Sequence, residues 1–269
     1  MEALVTWLGG ESAITRAVLV GMLVAARVAP LTILAPWLAV RQAPAMLRTA
    51  VVLALTFALT PLAMQSAPEI PESPTIVAAL ALREAMVGAV FAIATALPMH
   101  ALEWAGSLVD TWRGSNLAEI LAPPTGTRTS PMGTLYVMMG VVLFIAVGGH
   151  RVALEALADG LAEVPVGTGQ ILAPDVIAFG AARIFGQALS FAAVLAAPAA
   201  VAIVLVEVAL GLVARASPQV PVFFAGMPLR AATGLGAALL GLALLVDRLP
   251  AAMRGAIDTA ADLVLRFAR

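Results

Sequence analysis

The chain alternates long apolar segments with short polar connectors. A helix that crosses the hydrocarbon core of a bilayer needs about 20 apolar residues, at about 1.5 Å of rise each. Here the apolar residues run continuously instead of alternating, which predicts helices and not barrel strands. The six candidate spans are 17–40, which contains the single charge Arg27, and 49–68, 85–102, 129–150, 184–206 and 231–246. We therefore predict an all-α, membrane-type fold of helical hairpins, in one domain over residues 1–269.

Two connectors carry a helical apolar stripe beside a polar face. The first has charges every four residues, which places them on one face of a helix. Its charges are Arg151, Glu155, Asp159 and Glu163, opposite Val152, Leu154, Leu157 and Leu161. The second, 248–269, has the stripe Leu249, Met253, Ile257, Ala260, Val264 and Phe267. We predict an amphipathic C-terminal helix over 248–269, which either lies at a membrane or water interface or contacts a partner.

Proline and glycine add a second pattern to the apolar segments. Prolines 30, 36, 98 and 198 fall inside candidate spans, and we expect them to bend or interrupt several helices. Gly234, Gly236 and Gly241 lie in an alanine-rich segment, where small residues allow backbones to approach closely. Both features favour tight packing within a larger body.

The composition narrows the class of protein. Hydrophobic residues make up 62% of the 269 and charged residues 12%, with a mean hydropathy of +1.02. Soluble domains average about 45–50% apolar and about 25% charged residues, so this is an integral membrane protein or part of a membrane assembly. The net charge of −1 gives no reason to expect a nucleic-acid partner.

The sequence offers no catalytic or metal-binding constellation. It has no cysteine and two histidines, which excludes thiol chemistry and a histidine-rich metal centre. The hydrolase, zinc-protease and nucleotide-binding motifs are absent. His100 lies near Glu103 and Asp110, and we interpret these three residues as structural. We therefore predict a protein that is not an enzyme and needs no cofactor.

The stretch 215–230, RASPQVPVFFAGMPLR, separates the last two apolar segments. Its prolines predict that no regular helix runs through it, yet it remains apolar. Irregular backbone at membrane depth is tolerated where protein buries it or where it lines a cavity. The alternative is an interfacial loop whose arginines, Arg215 and Arg230, face phospholipid.

Five charges interrupt the apolar runs: Arg27, Arg83, Glu84, Arg183 and Glu207. A buried unpaired ion costs several kcal/mol, so each should meet a partner, water or a polar lumen. Arg83 and Glu84 point about 100° apart on a helix, so we expect them to reach different neighbours. We expect Glu207 to face a charge on another element. These residues either line a pathway or pair between helices or subunits.

Taken in order, several blocks resemble the T component of the type III secretion export apparatus, the SctT/FliR family, whose flagellar counterpart is the biosynthesis R protein. The matching blocks are RVAPLTILAPWLAVRQAPAMLR, REAMVG, WAGSLVDTWRGSNLAEILAP, TSPMGTL, LFIAVGGHRVALEAL, EVPVG, LAAPAAV and the stretch 215–230. The resemblance covers nearly the whole length. Pro221 stands where the family usually has asparagine, and Arg230 where lysine is common.

The resemblance implies a non-enzymatic subunit of the bacterial inner membrane. It would form a helical, pore-forming gate with the R and S components, with the U switch component at the entrance, and it would pass unfolded substrate polypeptide. The candidate gate loop is Pro218, Gln219, Val220, Pro221, Phe223, Phe224, Met227 and Pro228. The candidate buried or inter-subunit charges are Arg27, Arg83, Glu84, Arg183, Glu207, Arg215 and Arg230.

Two questions stay open at this point. The SPMGTL and VGGH blocks favour the non-flagellar injectisome branch over the flagellar one. The alternative function is a self-contained small-molecule permease in lipid, with Arg83, Glu84 and Glu207 as pathway charges.

Overall fold

A computed structural model of the chain describes residues 11–38, 44–115, 130–168, 174–219 and 221–266. Every regular element in these ranges is helical, which confirms the predicted all-α class. The helices are α1 Glu11–Leu34, a short 3-10 helix Pro36–Leu38, α2 Ala45–Ser66, α3 Pro74–Trp112, α4 Pro131–Ala146, α5 Gly149–Glu163, α6 Pro174–Ala216 and α7 Val222–Leu265.

The helices match the apolar pattern of the sequence. The predicted segments 85–102, 184–206 and 231–246 each lie within one helix, α3, α6 and α7, and 49–68 matches α2, which ends at Ser66. The described part of 17–40 lies on α1 and the 3-10 helix, and the described part of 129–150 covers α4 and the start of α5. Helices α1, α2, α3, α6 and α7 are long and apolar enough to cross a membrane, and α4 with α5 counts as a sixth span if the broken pair is taken together. This is the architecture of a multi-pass membrane protein.

The prolines interrupt the helices less than predicted. Pro30, Pro98 and Pro198 lie inside α1, α3 and α6, which continue through them. Pro36 does end α1 and opens the 3-10 helix. A proline is tolerated within a membrane helix because neighbouring groups and local adjustments satisfy the backbone groups that it frees.

The expectation that no regular helix runs through 215–230 is confirmed at the break between α6 and α7, but it is wrong for 222–230, which is helical. Helix α6 extends to Ala216 and α7 begins at Val222, so only a short turn separates them. The carbonyl oxygen of Pro221 accepts from the N–H groups of Phe224 and Ala225 at 3.1 and 3.2 Å, which starts the first turn of α7. Proline suits a helix start because its φ is already helical and the first helical N–H groups need no partner within the helix. Val220 lies outside the described residues.

The chain divides into two compact units, each assembled from separate stretches of sequence. The first unit comprises Met1–Ala96, Gly148–Ile184 and Met253–Arg269. In it α1 packs against α2, and α2 packs against α5. Leu157 and Leu161 of α5 are buried together with Ala153, which confirms an amphipathic helix. Val152, which was predicted on the same apolar face, is 41% exposed.

The predicted C-terminal stripe is also confirmed, but the helix that carries it is longer than expected. Leu249, Met253, Ile257, Ala260 and Val264 are all buried. They belong to α7, which starts at Val222 instead of near residue 248. Phe267 lies outside the described residues.

The second unit comprises Leu97–Val147 and Phe185–Ala252. Tyr136 is fully buried, and its hydroxyl donates to the carbonyl oxygen of Ala238 at 2.9 Å. A Cβ on Gly241 would lie 2.6 Å from that hydroxyl and 3.1 Å from the carbonyl oxygen of Leu195. The predicted close approach is therefore confirmed at Gly241, whereas a Cβ on Gly236 would meet nothing within 4 Å.

Candidate functional site

The first unit contains a cluster of three buried charged side chains. Arg27 of α1 and Arg83 and Glu84 of α3 are 2%, 4% and 0% exposed. Arg27 Nη2 lies 2.5 Å from Glu84 Oε2, and its Nε donates to the same oxygen at 2.6 Å. Arg83 Nη1 donates to Glu84 Oε1 at 2.7 Å. One carboxylate therefore pairs with two guanidinium groups.

The same cluster fastens the end of α5. Arg27 Nη1 donates to the carbonyl oxygens of Val164 at 2.9 Å and Gly160 at 3.3 Å. The Gly160 carbonyl also accepts from the N–H of Val164, which lies just past the end of the helix. The N–H of Gly167 donates to Glu84 Oε1 at 3.3 Å. Gly167 has φ 87°, a conformation that suits glycine.

Close helix packing accompanies these bonds. A Cβ on Gly88 would lie 1.8 Å from the carbonyl oxygen of Arg27, so only glycine allows α3 to approach α1 at this point. Four parts of the first unit (α1, α3, the end of α5 and the following loop) meet at Glu84. The arrangement is closed and structural in character, since the cluster is held by direct hydrogen bonds.

The structure corrects the expectation that Arg83 and Glu84 reach different neighbours. Glu84 does reach Arg27 on another helix, but Arg83 also bonds to Glu84. The Cα–Cβ directions diverge as predicted for neighbours on a helix. The arginine side chain is long enough to turn back, and the carboxylate has one oxygen for each guanidinium.

A second cluster surrounds Asp110 in the second unit. Asp110 is 2% exposed, and its Oδ2 accepts from Ser130 Oγ at 2.5 Å and from the N–H of Met132 at 3.0 Å. Its Oδ1 lies 2.9 Å from Arg113 Nε. Ser130 in turn caps α4 by accepting from the N–H of Gly133 at 2.9 Å. Asp110 thus ties the end of α3 to the start of α4.

Sequence reasoning placed Asp110 beside His100 and missed this cluster. In the structure His100 lies beside Glu103 instead, with its Nδ1 3.6 Å from Glu103 Oε2 at the surface. Two local signals were present in the sequence. Arg113 follows Asp110 by three residues, and Ser130-Pro131 has the form of a helix start.

The hairpin of α6 and α7 carries an ion pair of a different kind. Arg230 Nη2 donates to Glu207 Oε2 at 3.0 Å, and Arg230 Nε contacts Glu207 Oε1. The side chains are 19% and 46% exposed. This confirms that Glu207 faces a charge on another element, and the two residues come from the set of candidate charges.

The residues of the candidate gate loop lie at the tip of this hairpin. Phe223 and Phe224 are 54% and 69% exposed, and their rings meet edge to face with centroids 5.4 Å apart. Pro218, Gln219, Pro221 and Pro228 are exposed and Met227 is half-buried. The tip therefore presents aromatic surface outward, on the first turn of a helix instead of an irregular loop.

The remaining two candidate charges are not buried in the chain. Arg215, at the end of α6, and Arg183, near its start, are both exposed. Of the expected partner, water or polar lumen, Arg183 has no ion-pair partner within the described ranges, and its side chain is open to solvent. Arg183 lies in apolar sequence, but its side chain is on a solvent-exposed face of α6. The same ranges contain no group of three or more histidine, cysteine or acidic residues placed to hold a metal ion.

Comparison with known proteins adds a match over most of the chain. Residues 18–256 match the sequence model of the family described as "Bacterial export proteins, family 1". The chain is 33% identical over 150 residues to the Yop proteins translocation protein T of Yersinia pestis, a stretch that covers 56% of this chain and 58% of that relative.

Two further relatives are matched over longer stretches. The secretion system apparatus protein SsaT of Salmonella typhimurium is 29% identical over 69% of this chain and 72% of its own length. The flagellar biosynthetic protein FliR of Caulobacter vibrioides is 26% identical over 84% of this chain and 89% of its own length.

Proposed function

We propose that the chain, which belongs to the family of bacterial export proteins that includes type III secretion T components and flagellar FliR proteins, is a non-enzymatic subunit of a type III export gate. In this role it forms a pore with the R and S components in the bacterial inner membrane, and the U component covers the entrance. Unfolded polypeptide passes through the pore, driven by the partner components.

The observation that carries this proposal is the setting of Glu207 and Arg230. Glu207 is 46% exposed, and it stands between Leu205 and Val208, which are 65% and 57% exposed. Charged groups are costly against lipid chains, so within a membrane they face protein or a watery cavity. A partly exposed ion pair within an apolar surface is what we expect where partner subunits bury that surface.

The apolar surface of other helices supports the same assignment. No residue in the most apolar window of α2 is buried, and Met46 and Phe57 of that helix are 86% and 85% exposed. In α4, Met138 and Val142 are 62% and 64% exposed. Such broad apolar faces leave room for several hydrophobic neighbours, as an assembly of export components requires.

Copurification tests the assembly. The full chain, coexpressed with the R and S components of the same gene cluster, should be retained with them in fixed stoichiometry after detergent extraction. Expressed alone, it should be unstable. A chain that is monodisperse alone and transports a small solute in liposomes would instead support the permease, for which the closed cluster at Glu84 offers no pathway.

We also propose that the aromatic tip of the α6–α7 hairpin lines or gates the pore. Its two exposed phenylalanines, Phe223 and Phe224, are able to narrow a channel without polar contacts to the passing chain. The double substitution Phe223→Ala, Phe224→Ala should raise ion leak or change export. Phe57→Ala removes another exposed ring, from α2, and serves as the control. Unchanged leak and unchanged export in the tip variant would contradict this role.

Between the two branches of the family we propose the injectisome, on the SPMGTL and VGGH blocks. Complementation tests this choice. The chain should restore secretion to an injectisome strain that lacks its T component, more fully than it restores motility to a strain that lacks FliR. The reverse ranking would assign the chain to a flagellum.

A further inference from the structure

The first unit contains a cavity of about 360 Å³ between the start of α6 and the end of α7. Its walls include Phe179, Gly180 and Arg183 of α6, Asp262 and Leu263 of α7, and Arg266 directly after α7. The spacings of three and four residues place each set on one helix face. A Cβ on Gly180 would lie 2.3 Å from Leu263 Cδ2, so the two helices meet closely at the floor of the cavity.

The cavity carries an excess of positive charge. Arg183 and Arg266 are both exposed, and neither has an ion-pair or hydrogen-bond partner within the described ranges. Asp262 is the single acidic residue of the lining, so the lining has a net charge of +1. Guanidinium groups are suited to phosphate because their planar fork of donors binds its oxygens in pairs.

The surroundings of the two arginines are apolar. Arg183 immediately precedes the charge-free run 184–206, which places it where a membrane span meets the aqueous side. Phe179 is 78% exposed at the same cavity, and Leu263 supplies further apolar wall. A ligand that fits both walls has an anionic group next to hydrocarbon, as a phospholipid does.

We infer that this cavity binds the phosphate headgroup of an anionic phospholipid, with Arg183 and Arg266 on the phosphate and Phe179 against the lipid chains. A volume of about 360 Å³ falls within the range of small-ligand sites, about 300–1,000 Å³. Basic pockets between membrane helices are known to take such headgroups. The lining residues alone carry this inference, so it does not rest on the export role.

The test uses the full chain in vesicles of equal parts phosphatidylglycerol and phosphatidylcholine. After gentle extraction, native mass spectrometry identifies the lipids that remain bound. Phosphatidylglycerol should be enriched, and each of Arg183→Gln and Arg266→Gln should lower the enrichment by about fivefold. Arg254→Gln removes another exposed arginine of α7, outside the cavity, and should leave the enrichment unchanged.

Two further experiments test the charge of the bound ligand and whether it is a lipid headgroup or free phosphate. Asp262→Asn should raise the enrichment, since it removes the one negative charge that opposes an anion. Excess inorganic phosphate should leave the bound lipid in place. Loss of the lipid to free phosphate, an enrichment that is equal in the two arginine variants and the parent, or equal losses in the Arg254→Gln control would each overturn the inference. Because both substituted arginines are exposed, the variants should fold normally, which thermal unfolding verifies.

Discussion

The carboxylates Glu84 and Glu207 both lie in apolar sequence and both pair with arginine on another helix, yet their surroundings differ. Glu84 is fully buried and its two oxygens receive two guanidinium groups and a backbone N–H. Glu207 has one arginine partner and stays 46% exposed. The first arrangement is complete within the chain, whereas the second leaves one side for a neighbour. Whether the carboxylate is buried, more than whether it lies in an apolar run, distinguishes an ion pair inside the fold from one that is open at the surface.

Glu84→Gln should have the largest effect on stability. The substitution keeps the shape of the side chain but removes the carboxylate charge that pairs with the buried Arg27 and Arg83. Breaking a buried ion pair in this way costs about 3–5 kcal/mol. The amount of folded protein in membranes and the midpoint of thermal unfolding in detergent should both fall sharply. Glu69→Gln, at an exposed position, should change neither. Equal behaviour of the two variants would remove the contrast between Glu84 and Glu207.

Gly88→Ala should come next, because it tests the close packing beneath the same cluster. The new methyl group would meet the carbonyl oxygen of Arg27, and α1 and α3 would have to separate. Overpacking of this kind costs about 1–3 kcal/mol. Gly186→Ala is the matched control, since a Cβ there meets nothing within 4 Å. Alanine is favoured over glycine inside a helix by about 0.5–1 kcal/mol, so thermal unfolding should show opposite signs for the two variants.

Asp110→Ala should destabilise the second unit to a similar or smaller extent. It leaves the buried N–H of Met132 and the hydroxyl of Ser130 without their acceptor, at about 1–3 kcal/mol. Hydrogen exchange of the first turn of α4 should increase, because that turn loses its tie to α3. Asp258→Ala removes an exposed carboxylate and should not alter that exchange. Protection that stays intact in Asp110→Ala would show that the tie is unimportant.

Glu207→Gln should have the smallest effect on the isolated chain. A partly exposed ion pair contributes about 0–1 kcal/mol, so the midpoint of thermal unfolding should hardly move. Retention of the coexpressed R and S components should nevertheless fall, because an arginine left unpaired under a covering subunit weakens binding by about 2–5 kcal/mol. A large loss of stability with unchanged retention would reverse the distinction between the two carboxylates.

The sequence predicted the local features of this fold better than the distant ones. The six apolar segments and the amphipathic face of α5 follow from residue periodicity, which is a local property. The contacts of Asp110 with Ser130 and Met132 span 20 and 22 residues, and no periodicity carries that information. The pairing of Arg83 with Glu84 was missed because helix geometry fixes the direction of Cβ but not the path of a long side chain.

The hairpin tip shows a different limit. Three prolines within 215–230 predicted irregular backbone, but Pro221 sits just before a helix start and Pro228 inside a membrane-type helix. Both positions are compatible with α7 for physical reasons that residue type alone does not reveal. The exposure of Phe223 and Phe224 also depends on tertiary packing, so their identity was predictable and their orientation was not.

The cluster at Glu84 also bears on the order in which the chain acquires its structure during synthesis. Arg27 is translated 57 residues before Glu84, whose carboxylate accepts from its Nε. It is translated 137 residues before Val164, whose carbonyl oxygen accepts from its Nη1. The first unit further includes Met253–Arg269, which is translated after its other parts. The packing of this unit therefore cannot be completed until long after its first helix has been made.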